Sequence, residues 1–272
     1  MSLSIITNIG SLTASNALTA NQNALNDSIA QLSSGKRIVN ASDDPAGIAM
    51  AMETQGLIGG LNQASSNTSN AQSFLQTADG ALSNIGTLLQ TAQQLATEAA
   101  DGSFNGTQLT ALNSQYQGIL TSINQIANGS TFNGISLLSG AAVTFQVGAT
   151  NSANDQLSIT IPKADTGTLA INATSLTSQA NAQAAITSVT AALQTVASDR
   201  GTVGATEGQL TAISNNLTST VQNLTNALST IQDANIAQTY ATFTKETVLQ
   251  QAGVQVLKQA DNTPSQLLAL FQ

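Results

Sequence analysis

The chain has 272 residues, enough for a sizeable core, and contains no His, Cys or Trp; a His-based triad, a Cys nucleophile and a zinc site of the usual ligands lack their residues. Fourteen Asp and Glu against six Lys and Arg leave a net charge of −8, too few cations for a phosphate-binding stripe, so nucleic acid is not an expected partner. Only 7% of residues are charged while 41% are hydrophobic, a balance that argues against disorder and favours association between copies.

No apolar run reaches the length of a membrane span, so no membrane partner is expected. The opening residues lack the basic region and apolar block of a cleaved signal peptide; if the chain is secreted, it leaves by another route. The absence of Cys fits either a reducing compartment or a chain kept threadable for export. Ile5, Ile9, Leu12, Leu18, Leu25, Ile29 and Leu32 mark a first amphipathic helix. Lys36-Arg37 and Asp43-Asp44-Pro45 follow. An acidic pair before Pro reads as turn and helix-start chemistry rather than a metal site. Lys36 and Arg37 beside Asp43 and Asp44 read equally as a solvated loop or as an inter-subunit salt bridge.

The three prolines, Pro45, Pro162 and Pro264, leave two long proline-free stretches, which permits long helices. In the first, Leu61, Ala64, Thr68, Ala71, Leu75, Ala78, Leu82, Ile85, Leu89, Ala92, Ala96 and Ala99 alternate steps of three and four, the seam of a coiled coil. That helix would run roughly 60 Å at about 1.5 Å per residue, until Asp101-Gly102 stops it. A shorter helix follows, with Thr107 as expected N-cap, an apolar face of Leu109, Leu112, Tyr116, Leu120, Ile123 and Ile126, and an end at Asn128-Gly129.

Asn133-Gly134 and Ser139-Gly140 are turn pairs. Residues 143–147 and 157–161 alternate with period two, and Pro162 closes the second run, which predicts a small β-hairpin region at about 140–176. The second long helix runs from about Ala180 to Ala234. Its expected seam is Ala182, Ile186, Val189, Leu193, Val196, Val203, Leu210, Leu217, Val221, Leu224, Leu228 and Ile231, a register that also places Arg200, Glu207 and Ser214 in it. Gly201, Gly204 and Gly208 predict a loosened segment there. Ile236, Tyr240, Phe243, Val254 and Leu257, then Leu267, Leu268, Leu270 and Phe271, mark the last helix. The two terminal helices cannot bury their faces alone and need each other or neighbouring copies. The expected fold is therefore mainly α: a long antiparallel coiled-coil rod, a small β-hairpin region, and paired N- and C-terminal helices. Sequons such as Asn105-Gly-Thr107 arise by chance in a chain this rich in Asn, Ser and Thr.

Two segments carry a family resemblance. Residues 32–49, LSSGKRIVNASDDPAGIA, resemble the N-terminal signature of bacterial flagellins; residues 250–260, QQAGVQVLKQA, with Pro264 and Leu267–Leu270, resemble their C-terminal signature. Thr131-Phe-Asn-Gly134 and Phe145-Gln-Val-Gly148 are similar to the family's middle pieces. The resemblance implies a secreted, extracellular structural protein without cofactor or catalysis, whose copies self-assemble into the flagellar filament of a swimming bacterium. It implies an inner core domain of paired terminal helices (1–33 and 236–272), a spoke linker (34–56) containing Lys36, Arg37, Asp43, Asp44 and Pro45, and an outer core rod with its hairpin (57–235). Subunit contacts would then fall on Ile5, Ile9, Leu12, Leu25, Ile29, Leu32, Ile236, Tyr240, Phe243, Val254, Leu257, Leu267, Leu268, Leu270 and Phe271. The implied partners are other copies, the flagellar export apparatus, a secretion chaperone, and the filament cap and hook–filament junction proteins. With no room for variable outer domains, a thin, smooth filament is expected. Flagellins seen by the Toll-like flagellin receptor carry Leu-Gln-Arg-x-Arg-Glu-Leu; here 89–95 read LQTAQQL, so weak receptor binding is expected. The family's Gly-Ala-x-x-Asn-Arg also appears without its Arg, as Gly204 to Gln209. A hook–filament junction protein is the alternative. A protease insert would need a His-Glu-x-x-His motif that this chain lacks, and the two terminal signatures argue against an unrelated adhesin or secretion needle.

Overall fold

The computed structural model of the protein describes residues 8–270, with the backbone alone for 263–270. Five helices, α1 (Ile9–Ser34), α2 (Pro45–Ala99), α3 (Gly106–Gly129), α4 (Gln179–Gln232) and α5 (Ile236–Leu270), carry most of the chain; two short hairpins, β1–β2 and β3–β4, lie between α3 and α4. The described residues form two compact units: one joins those up to Gly56 with those from Asn223 on, and the other is Leu57–Gln222.

In the Leu57–Gln222 unit, every residue of the seam expected on α2 is buried, from Leu61 to Ala99. Thr68, the one polar member, turns its hydroxyl back onto its own helix and donates to the Ala64 carbonyl at 2.8 Å. A buried hydroxyl satisfied within the helix asks nothing of its neighbours, which is how Thr is tolerated in an apolar seam. The long helix begins at Pro45, well before the first heptad residue, because Asp44 caps it: the Asp44 carboxylate accepts from the Gly47 amide at 2.9 Å, and proline in the first turn gives up no hydrogen bond.

α4 runs antiparallel to α2. Gln72 meets Thr211, Asp79 meets Arg200, Gln93 meets Thr190 and the Ala100 carbonyl meets Gln179; numbers rise on one helix as they fall on the other. Two expectations for α4 are corrected. Its buried line is Ala182, Ala185, Val189, Ala192, Val196, Asp199, Val203, Leu210 and Leu217, so alternate seam positions lie one residue earlier than expected. Ala185 and Ala192 occupy the seam, and Ile186 and Leu193 are partly buried beside it. A methyl side chain lets the backbones approach closely, so the small residues take the tightest positions although the larger ones give the louder hydropathy signal. In consequence Arg200 is outside the seam and Asp199 is in it. Nor is α4 loosened at its glycines: it is one unbroken helix, and nothing lies within 4 Å of where a Cβ would stand on Gly201, Gly204 or Gly208.

α3 is capped two residues before the anticipated Thr107. Asn105 is the N-cap, in a capping box with Gln108: the Asn105 side chain accepts from the Gln108 amide and the Gln108 side chain from the Asn105 amide, which satisfies two of the helix's free donors. Leu112, Tyr116, Leu120 and Ile123 are buried as its apolar face predicts. Asn133 and Gly134, both at positive φ, turn β1 (Thr131–Phe132) into β2 (Ile135–Ser136), the conformation that favours Asn-Gly in a two-residue turn. β3 (Ala142–Gln146) pairs antiparallel with β4 (Gln156–Thr160) in the register Val143 with Ile159 and Phe145 with Leu157. Phe74 of α2 holds both hairpins, meeting the rings of Phe132 and Phe145 edge-on at 5.9 and 5.5 Å.

Candidate subunit interface

The other unit is built on α1 and α5, which run antiparallel. Asn8 Nδ2 donates to the Ala260 carbonyl at 2.8 Å and Ser11 Oγ to Asp261 at 2.5 Å; further along, Asn21 Nδ2 donates to the Glu246 carbonyl at 2.8 Å and Gln250 to Gln22. At the heart of the pair Ser28, itself buried, donates from Oγ to Glu246 Oε2 at 2.7 Å. A buried carboxylate needs such a donor, since leaving it unpaired is costly.

The residues turned inward step by three and four on each helix: Ser11, Ala14, Leu18, Asn21, Leu25, Ser28 and Leu32 on α1, and Thr239, Phe243, Glu246, Gln250, Gly253, Leu257 and Ala260 on α5. Nine of these fourteen are polar or very small; Leu18, Leu25, Leu32, Phe243 and Leu257 are the large apolar members. Leu18 lies 3.2 Å from where a Cβ on Gly253 would stand, and an apolar groove of about 380 Å³ opens along Ala14, Ala17, Leu18, Asn21, Leu249, Ala252, Gly253 and Val256.

Several bulky apolar side chains lie elsewhere. Ile9 is 66% exposed, Leu12 63% and Tyr240 61%; Ile29, Ile236 and Val254 are exposed as well. Of the residues anticipated from sequence, Leu25 is taken up inside the pair, and Leu32, Phe243 and Leu257 are half-buried in it. Ile5 and Phe271 lie outside the described residues, and Leu267, Leu268 and Leu270 are described in backbone only. Met50, Met52, Val248, Leu249 and Val256 are also exposed and were not foreseen. The signal for the α5 members was present: Val248, Leu249 and Val256 are branched apolar residues on an amphipathic helix, set off the heptad that the polar seam occupies.

Between the two helices the chain is fastened to itself. Gly35, at φ 70°, ends α1. The Arg37 amide donates to the Gln232 carbonyl at 2.7 Å and the Ala234 amide to the Gly35 carbonyl at 2.9 Å. The Arg37 guanidinium reaches the Ile231 carbonyl at 2.7 Å, placing a cation at the end of α4, where the helix dipole favours it. It also stands 3.9 Å from Asp44, within the same chain. Asp43 accepts from the Val39 and Asn40 amides at 3.0 and 2.8 Å, and these donors hold its carboxyl below the usual range. Lys36 lies opposite Asp233 in the short bridge between the two connecting segments. Gly47 is required here: a Cβ would stand 2.4 Å from Asp44 Oδ2 and 2.7 Å from Ile38 Cδ1.

Both carboxylates of Asp43-Asp44 are thus committed to backbone amides, and no cluster of three metal-ligating side chains occurs among the described residues. What this unit offers is apolar surface.

Comparison with known proteins gives that surface a context. Residues 5–143 match the family model of the bacterial flagellin N-terminal helical region, and residues 186–271 that of the C-terminal helical region. Flagellin 1 of Proteus mirabilis is 36% identical over 169 residues, 61% of this chain and 46% of that protein; the chain spans less than half of that relative's length. The flagellin of Halalkalibacterium halodurans is 31% identical over 267 residues, 97% of this chain and 98% of its own. A crystal structure of Bacillus cereus flagellin superposes with a TM-score of 0.50 at 30% identity, over 60% of this chain and 94% of that one. A Vibrio parahaemolyticus protein described as flagellar hook-associated shares the fold alone, with a TM-score of 0.59 at 13% identity over 70% of this chain and 99% of that one. The chain belongs to the bacterial flagellin family.

Proposed function

We infer that the protein is a structural subunit that assembles with copies of itself into a helical flagellar filament, an extracellular appendage, and that it carries no catalytic site. The observation that carries this reading is the division of labour on α1 and α5. A seam made mostly of polar and small residues joins the two helices to each other, while Ile9, Leu12, Ile29, Ile236, Tyr240 and Val254 are left on the outside. Burying such side chains between copies supplies about 1.5–3 kcal/mol for each large one. Contacts that repeat head to tail without closing give a filament.

On this reading the remaining members of the expected interface, Ile5, Leu25, Leu32, Phe243, Leu257, Leu267, Leu268, Leu270 and Phe271, support the same surface, directly or through the pair. Residues 1–33 and 236–272 form the inner domain, 34–56 the spoke, and 57–235 the outer rod. The subunit passes through the flagellar export apparatus with a secretion chaperone and meets the filament cap and junction proteins at the ends of the polymer.

Purified full-length chain, given short filament seeds and a salting-out salt that strengthens apolar burial, should extend them into long uniform filaments visible by electron microscopy. The same chain without residues 1–33 and 236–272 should not. Short capped rings from the full chain would instead support a hook–filament junction protein.

Receptor recognition should be weak. Leu89 and Ala92 are buried in the α2 seam; uncharged Thr91, Gln93 and Gln94 stand where receptor-active relatives carry two arginines and a glutamate, and Gln93 donates to Thr190 at 3.1 Å. Full potency in a reporter-cell assay would refute this.

A further inference from the structure

The one polar side chain in the α2–α4 seam that has been left unsatisfied is Asp199. It is 8% exposed, and its Oδ2 has no hydrogen-bond partner. It follows Val196 and precedes Val203 on the buried line of α4. The facing stretch of α2 is fixed at both ends: Val196 reaches Gly86, and Arg200 reaches Asp79. Between those ends the buried residues of α2 are Ala81, Leu82 and Ile85, none of which can donate a hydrogen bond through its side chain.

The neighbouring cation does not help. Arg200 points out of the seam and spends its fork on Asp79, at 2.8 and 3.0 Å. The other ionisable groups of the unit are few. α2 carries Asp79 and Glu98, followed by Asp101, and α4 carries Glu207 besides Arg200. α3 has no charged side chain and only Tyr116 to titrate, and the segment between α3 and α4 carries Asp155, Lys163 and Asp165, of which Lys163 and Asp165 are paired at 2.8 Å. No cation is left to neutralise a carboxylate inside the seam.

We propose that Asp199 is a proton-binding site of the α2–α4 seam, and that taking up a proton in mild acid tightens this unit. A carboxylate without a partner in an apolar seam is costly, and protonation removes the charge and supplies a donor. Burial raises the pKa of this group accordingly. The folded unit therefore binds a proton more readily than the unfolded chain. Stability rises as pH falls through the folded value, and the gain is complete at the unfolded value near 3.9. The chain has no His or Cys, so no side chain of ordinary pKa titrates between about pH 5 and 8 to obscure the effect.

Thermal melts of the full-length monomer by circular dichroism, from pH 7.5 to 5, test this. The wild type should melt higher at pH 5 than at 7.5. Asp199→Asn and Asp199→Ala should melt above the wild type at pH 7.5 and show a flat profile. A flat wild-type profile, or variants that repeat the wild-type slope, would overturn the proposal. Should either variant fail to fold, the carboxyl carbon of Asp199 followed by NMR in the wild type decides directly: a midpoint raised above that of an exposed aspartate supports the site, and an ordinary midpoint rejects it.

Discussion

Arg200 meets Asp79 with two parallel hydrogen bonds, Nε to Oδ1 at 2.8 Å and Nη2 to Oδ2 at 3.0 Å, tying α4 to α2 one residue away from the seam. The guanidinium holds the Asp79 carboxyl below its usual range. Because the folded value is depressed, the contribution is present at neutral pH and is lost as pH falls below about 4. Both side chains are more than a third exposed, and exposed pairs are worth at most about 1 kcal/mol. Arg200→Ala should cost no more than that in urea denaturation at pH 7, and the difference should shrink as pH falls below about 4. A cost of several kcal/mol would mean that Arg200 also neutralises Asp199.

This pair marks where sequence reading reached its limit. The α2 seam was legible to the residue, since leucine, isoleucine and alanine recur there in unbroken steps of three and four, interrupted only by Thr68. On α4 the same logic misplaced three of the nine buried positions, Ala185, Ala192 and Asp199. Ile186 and Leu193 outweigh Ala185 and Ala192 in hydropathy, but close helix approach selects the smaller side chain, and only the partner helix decides which applies. The α1–α5 pair was legible as a pair of amphipathic helices. Its polar seam was not, because Ser28 and Glu246 become partners only across 218 residues. The Asn105 capping box was there to be read, as Asn followed three residues later by Gln.

The glycines of α4 offer a test of the unbroken helix. Gly201, Gly204 and Gly208 lie in a regular helix with open space around each missing Cβ, so alanine adds no clash and removes freedom from the unfolded chain. Each Gly→Ala change should stabilise by about 0.5–1 kcal/mol, measured by urea denaturation. Destabilisation would show that the segment bends in solution.

Gly148 should behave in the opposite way. The loop between β3 and β4 is closed by Asp155, whose Oδ2 accepts from the Thr150 amide at 3.0 Å and from its hydroxyl. The loop rests on α2 through Ala149, whose Cβ is 3.0 Å from where a Cβ on Gly60 would stand, and through Asn67, which donates to the Gln146 carbonyl at 3.0 Å. A Cβ on Gly148 would fall 2.1 Å from Asp155 Oδ1. Gly148→Ala must therefore displace Asp155 and open the loop, at a cost of about 1–3 kcal/mol. Limited proteolysis should cut between 147 and 156 in the variant before the wild type. Adding Asp155→Ala should cost little more, because both changes break the same closure.

The exposed apolar side chains of α1 and α5 separate assembly from folding. Tyr240 and Val254 lie on α5 away from the line that faces α1, and Ile9 and Leu12 are similarly exposed on α1. Replacing any of them with Ser removes little that is buried within the chain, so the monomer's melting temperature should change by a degree or less. If these residues are covered by neighbouring copies, each replacement forfeits about 1.5–3 kcal/mol at every repeat of the contact. The concentration needed to extend seeds should then rise roughly tenfold or more per substitution. Leu25→Ser is the opposing control. Leu25 is already buried between α1 and α5, so its loss should lower the melting temperature of the monomer itself. Outer substitutions that leave seed growth untouched would remove this surface from the filament contact, and outer substitutions that unfold the monomer would show that these side chains are held by the chain's own fold.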